Sequence, residues 1–278
     1  SLQGCGALLV AETLNEPLLW QRLLADASMP DQYSSLSRVL GVYPLSAIFF
    51  KSGVERELNH QRAQQEQFSQ QRDHSSGQRL VYRPIETNKV LPGNVWQFVE
   101  NSELGVPQVS KQELARLFTW WQPSVVLPGG DNDNRIGRLK LGEGGQGVQL
   151  DTASPGMYYH LSYGRLGMEI TTQLNYTFWF PRRPASSAFD LLSGELDGLT
   201  WRVHLDSRGH LIAHDVIHNC GCWYQLYLGP RYRLEPSPAA LYSEPVFMGA
   251  FQGEGPVRIH LEANTHAVVG VDPLQSHL

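Results

Sequence analysis

The residues best able to do chemistry sit together in AHDVIHNCGCW, residues 213–223, which holds two of the ten histidines and two of the three cysteines. Imidazole and thiolate are preferred ligands of zinc and other transition metals, so His218, Cys220 and Cys222 form a metal half-site on residue type alone. Two cysteines one residue apart can also close as a disulfide, over a loop so small that the bond would be strained and easily reduced. A third chemistry is attack by a thiolate with a histidine as base. The fourth reading is packing, because a free cysteine is often only a small buried side chain.

The element that carries the segment limits these choices. His214 to His218 reads His-Asp-x-x-His and resembles the zinc-protease pattern His-Glu-x-x-His, which needs a helix to bring both imidazoles to one ion. Val216 and Ile217 favour a strand instead, and the turn LDSRGHL, with Gly209 at its tip, leads into it from residues 200–206. In a strand, alternate residues lie about 7 Å apart, so His218 and Cys220 can lean toward one centre. His214 and His218 lie about 13 Å apart and cannot. A metal site therefore needs distant ligands. Eight of the ten histidines follow residue 159. Of these, His160 in MYYHLSYGRLG and His266 in ANTHAVV are the expected partners of His218, Cys220 and Cys222, with zinc as the expected type of ion. Gln173 and Asn175 share one strand face in TQLNYTFWF, amid aromatics, and are the expected ligand-binding residues. Asp190, Glu195, Asp197 and Asp206 supply carboxylates, but no spacing pairs two of them as acid and base. No catalytic residue is assigned.

The rest of the chain sets the frame. With 278 residues, 41% of them hydrophobic and 18% charged, it can bury a large core. A net charge of -5 with scattered Lys and Arg excludes general affinity for nucleic acid. Apolar runs fall short of the ~18–20 residues of a membrane span. Residues 1–127 read as mainly helical. PLLWQRLLADA has apolar residues at helical spacing, KSGVERELNHQRAQQEQFSQQRDHSSG suits an exposed polar helix, and SKQELARLFTWW opens with a Ser110–Glu113 capping box. Residues 128–278 read as β-rich, in short aromatic and β-branched segments split by Gly and Pro. PGGDNDNRIG alternates Asp131 and Asp133 as a calcium loop does, but lacks that loop's Gly and distal Glu. The expected fold is α+β, a helical N-terminal part packed on or beside an antiparallel sheet or sandwich.

One more segment bears on compartment. Leu2-Gln3-Gly4-Cys5 resembles a bacterial lipobox, in which a peptidase cleaves before the cysteine and lipid is attached to its sulfur. The segment Ile217 to Trp223 (Ile-His-x-Cys-Gly-Cys-aromatic) is similar to that of uncharacterised exported bacterial proteins. The resemblance implies a lipoprotein with an acylated (palmitate-type) Cys5, anchored in the bilayer of the cell envelope and facing the periplasm. It leaves Cys220 and Cys222 as an even pair in an oxidising compartment. Two functions stay open: a hydrolase built on a His/Cys or metal site, and a non-catalytic envelope interaction protein with a structural Cys220–Cys222 disulfide. Either would act on a small-molecule or envelope ligand that the sequence leaves unnamed.

Overall fold

Residues Glu169–Trp179 show how the second half becomes sheet: Leu174, Tyr176 and Phe178 point into a core, and Gln173, Asn175 and Thr177 alternate with them. This computed structural model describes residues 7–8, 10–11, 16, 18–19, 21–22, 43–71, 77–84, 101–102, 105–142, 147–185, 190, 193–235, 246–249 and 251–274. Cys5 and the rest of the lipobox lie outside them, as does His74. The chain divides into two compact units, Ser1–Gly53 and Val54–Leu278. Described residues of the first are helical except Glu16, with Leu8, Val10 and Leu18 exposed. No helix among the described residues is long and apolar enough to cross a membrane.

The second unit contains fourteen described strands: β1 (Arg79–Tyr82), β2 (Ser124–Pro128), β3 (Arg138–Leu141), β4 (Val148–Asp151), β5 (Tyr158–Leu166), β6 (Glu169–Trp179), β7 (Arg182–Arg183), β8 (Gly194–Glu195), β9 (Gly198–Leu205), β10 (Leu211–His218), β11 (Gln225–Leu228), β12 (Phe247–Met248), β13 (Val257–Leu261) and β14 (Val268–Pro273). They form a six-stranded sheet, β12-β11-β10-β9-β6-β5, a four-stranded sheet, β1-β2-β13-β14, and two small hairpins, β3-β4 and β7-β8. Pairing is antiparallel except at β11-β12 and β2-β13. Both large sheets feed one core, with Leu174, Tyr176, Trp201, Val203 and Val216 from one and Val125, Leu127, Ile259 and Leu261 from the other. Helix α2 (Lys111–Trp121) adds Leu117, Phe118 and Trp121 to that core. Its first turn is closed by the expected capping box: Ser110 Oγ accepts from the Glu113 N–H, and the Glu113 carboxylate accepts from the Ser110 N–H. The chain is thus mixed, with helices and mostly antiparallel sheet. Strand β1 and all but the last residue of β2 fall within residues 1–127 but belong to the same sheet as β13 and β14, near the C-terminus.

Helix α1 (Tyr43–Gln71) is held more tightly than its polar sequence suggests. Within the second unit, Leu58 and Gln61 are buried. Gln225, also buried, donates from Nε2 to Gln61 Oε1 and accepts from the Tyr227 hydroxyl, while Gln65 donates to that same hydroxyl at 2.9 Å. Gln64 reaches Glu262. Glutamine can be buried at little net cost when its amide finds such partners, and a hydropathy pattern cannot reveal that. Phe68 lies over Gly270, where an added Cβ would come within 2.3 Å of its ring. Gly270→Ala is therefore expected to displace Phe68 and destabilise the fold by about 1–3 kcal/mol, with protease nicking of α1 appearing before global unfolding. Unchanged urea midpoint and nicking would show that Phe68 does not anchor the helix.

Candidate functional site

Segment 211–218 is a strand, so His214 and His218 point to one face but do not share an ion, and the zinc-protease reading fails on geometry. Strand β10 pairs with β9 through a tight turn in which the Asp206 N–H donates to the His210 carbonyl and Gly209 takes φ 82°. His218 sits opposite Leu199 and faces the core.

The loop after β10 carries both thiols. It is closed by the His218 N–H on the Cys222 carbonyl at 3.0 Å and the Gly221 N–H on the His218 carbonyl at 2.8 Å. Gly221, at φ 90° with open space around its α-carbon, makes the left-handed bend that this closure requires. Cys220 is exposed, Cys222 is half-buried, and both are free thiols. Burial pushes the Cys222 thiol up, and its hydrogen bond with Cys220 raises it further; the charge of Arg183 opposes this only in part. A catalytic thiolate needs the opposite shift.

Behind the loop, two distant histidines meet on one carboxylate. Asp197, just before β9, places Oδ2 at 2.6 Å from His266 Nδ1 and Oδ1 at 3.6 Å from His218 Nδ1. The longer distance lies just beyond hydrogen-bond range. Burial raises the Asp197 carboxyl, but the two imidazoles outweigh that and hold it well below the usual carboxylate range. His266 also meets the Asp133 carbonyl at Nε2, 3.1 Å away. Both ring nitrogens thus face oxygen atoms, the Asp197 carboxylate at Nδ1 and the Asp133 carbonyl at Nε2. Phe180 stacks on the ring at 3.8 Å and 5°.

Backbone strain gathers at the same place. The left-handed non-glycine residues among those described are Leu196, Trp223, Asn264 and His266. Leu196 precedes Asp197, Trp223 follows Cys222, and His266 is the ligand of Asp197 itself. Leucine and tryptophan gain nothing from that conformation, and such strain persists where surrounding contacts over-determine it. Here those contacts are visible: the Trp223 ring meets His218 edge to face at 4.7 Å and lies beneath the Arg183 guanidinium at 4.3 Å.

A second cluster lies on the opposite face of the six-stranded sheet. The register sets His160, Asn175, Arg202 and Asp215 in one cross-strand row and Ser162, Gln173 and His204 in the next. Asn175 donates to Ser162 Oγ, Ser162 to Gln173 Oε1, and Gln173 Nε2 to His204 Nδ1. His204 must then donate from Nε2 to Asp215, 2.7 Å away. Arg202 Nε and the Tyr224 hydroxyl complete the shell of that carboxylate at 2.6 and 3.3 Å. The Asp215 side chain is only 2% exposed, whereas Arg202 retains 28% and His204 18%. Burial raises the Asp215 carboxyl, and His204 and Arg202 more than reverse it, so it stays ionised. The polar row reaches the thiol loop through the Thr177 and Thr200 hydroxyls and Asn219.

No family model, curated protein or solved structure matches the chain.

The expected ligand set divides accordingly. His218 and His266 come together through Asp197, with Cys220 and Cys222 on the adjoining loop. His160 is exposed on the other face, level with Asn175, because side chains alternate along β5 and His160 falls out of phase with the core. Among the described residues no three His, Cys, Asp or Glu side chains converge closely enough to hold a metal. Gln173 and Asn175 sit in the polar network, and the Asp131–Asp133 loop is closed on itself and on Arg182. Sequence reasoning named Asp197 only among carboxylates with no assigned partner, and missed Arg202, His204, Asp215, Tyr224 and Trp223 as site residues. The one available signal was the period-two alignment of Arg202, His204 and Asp215 on facing strands.

Proposed function

We propose that this chain is a lipid-anchored protein of the bacterial cell envelope that binds a partner rather than hydrolysing a substrate, and that the polar face of the six-stranded sheet is its contact surface. The observation that supports this reading is the fixed shell around Asp215. Arg202, His204 and Tyr224 are oriented by one buried carboxylate yet remain partly exposed, which is the preorganisation that recognition of a polar ligand requires. The hydrolase reading has less support. The half-buried thiol is shifted away from reactivity. A structural disulfide is not needed to explain the fold either, since the core and the Asp–His pairs hold the sheets together.

Two measurements test the proposal. Cells producing the full-length precursor should incorporate labelled palmitate, and Cys5→Ala should abolish it; persistent label in the variant, or none in the parent, removes the anchor. A photocrosslinking side chain at Thr177 should then capture one discrete envelope component, while the same group at Leu141, an exposed residue at the end of β3, captures none. Equal capture at both positions, or none, rejects the sheet face as the contact surface.

A further inference from the structure

We propose that Cys220 and Cys222 form a thiol–disulfide exchange couple acting on other proteins, with Cys220 as the attacking sulfur and Cys222 as the resolving one. It depends on the envelope reading only for a compartment that supplies disulfides, and not at all on the sheet face.

Three observations carry it. The thiols are one residue apart on a single loop, whose ends are tied by the His218 N–H on the Cys222 carbonyl and the Gly221 N–H on the His218 carbonyl. They differ in access: Cys220 is exposed, and Cys222 is half-buried. The loop that holds them is a rigid hairpin end, pinned by His218, Gly198 and the strained Trp223, with open space above Gly221. An accessible thiol backed by a shielded one is the arrangement that lets a mixed disulfide form on the first and be released by the second.

The step balances as follows. The Cys220 thiolate attacks one sulfur of a partner's disulfide; the Cys220–partner S–S bond forms, the partner's own S–S bond breaks, and the departing thiolate takes a proton. Cys222 then loses its proton and attacks Cys220 Sγ. The Cys220–Cys222 bond forms and the second partner thiol leaves. Two electrons pass from the loop to the partner, whose disulfide becomes two thiols. The reverse runs over the same atoms. A ring closed over one residue is strained, so the oxidised loop should give up its disulfide readily to partner dithiols.

The probe is glutathione disulfide, mixed with the reduced full chain, acid-quenched and read by mass. The wild type should close its internal disulfide with only a transient glutathione adduct. Cys222→Ser should accumulate a stable adduct on Cys220, formed about tenfold faster than the adduct on Cys222 in Cys220→Ser, because burial and a raised thiol slow the latter. Cys222→Ala gives the same trap should serine disturb the loop. Equal rates in the two single variants would overturn the assignment of roles. A wild type that keeps its mixed disulfide, or never reacts, would overturn the couple itself. Neither result bears on palmitate labelling or crosslinking.

Discussion

Asp197→Ala should cost about 1.5–3 kcal/mol of stability, the range for a buried hydrogen bond to a charged group. The substitution leaves His266 Nδ1, fully buried against Phe180, without its acceptor, and deprives His218 of its neighbour. Replacement by Asn keeps the shape but not the charge and should recover part of the loss. The pH dependence follows from the direction of the Asp197 shift. Its folded-state pKa lies below the ordinary aspartate value, so its contribution is complete above about pH 4 and is lost as pH falls toward the folded value. Urea midpoints of wild type, Asp197→Asn and Asp197→Ala at pH 7 and pH 3 measure both effects. A loss below about 1 kcal/mol for Asp197→Ala at pH 7 would mean that the two histidines do not depend on this carboxylate.

His214 should dominate the acid limb between pH 6.5 and 3. Its ring is enclosed by Trp121, Trp201 and Phe251, at centroid distances of 6.0, 5.2 and 5.1 Å. Neither ring nitrogen makes a full hydrogen bond, and the nearby Gly255 backbone only partly compensates. Burial pushes its pKa down to about 3, so the unfolded chain takes up a proton near pH 6.5 that the folded chain refuses. Stability therefore falls with pH across that window, at up to about 1.4 kcal/mol per pH unit. His214→Leu removes the titration and two unpaired nitrogens while filling most of the volume. At pH 7 it should change stability by less than about 1.5 kcal/mol, and at pH 4.5 it should be more stable than the wild type by about 2 kcal/mol. Parallel loss of stability in the two proteins between pH 7 and 4.5 would show that His214 protonates in the folded state.

These results concern residues whose roles were unequally legible. Strand β10 could be read from Val216, Ile217 and the Gly209 turn, because β-branched side chains and a positive-φ glycine act locally. The Ser110–Glu113 capping box was legible for the same reason, since its four atoms lie within one turn of chain. The alternation that puts Gln173 and Asn175 on one face is likewise a property of adjacent residues. Tertiary structure decided the rest. Only the pairing of β6, β9 and β10 could set Gln173 beside His204 and His204 beside Asp215, since register is chosen by which faces bury the core. Only the β13-β14 turn could bring His266 to Asp197, 69 residues away along the chain, and only the phase of β5 against the core could turn His160 outward. The sequence by itself determined which residues could do chemistry and the local elements that carry them. Which of them meet was decided by long-range packing, because a contact between distant residues depends on the burial of the whole sheet and leaves no periodic trace along the chain.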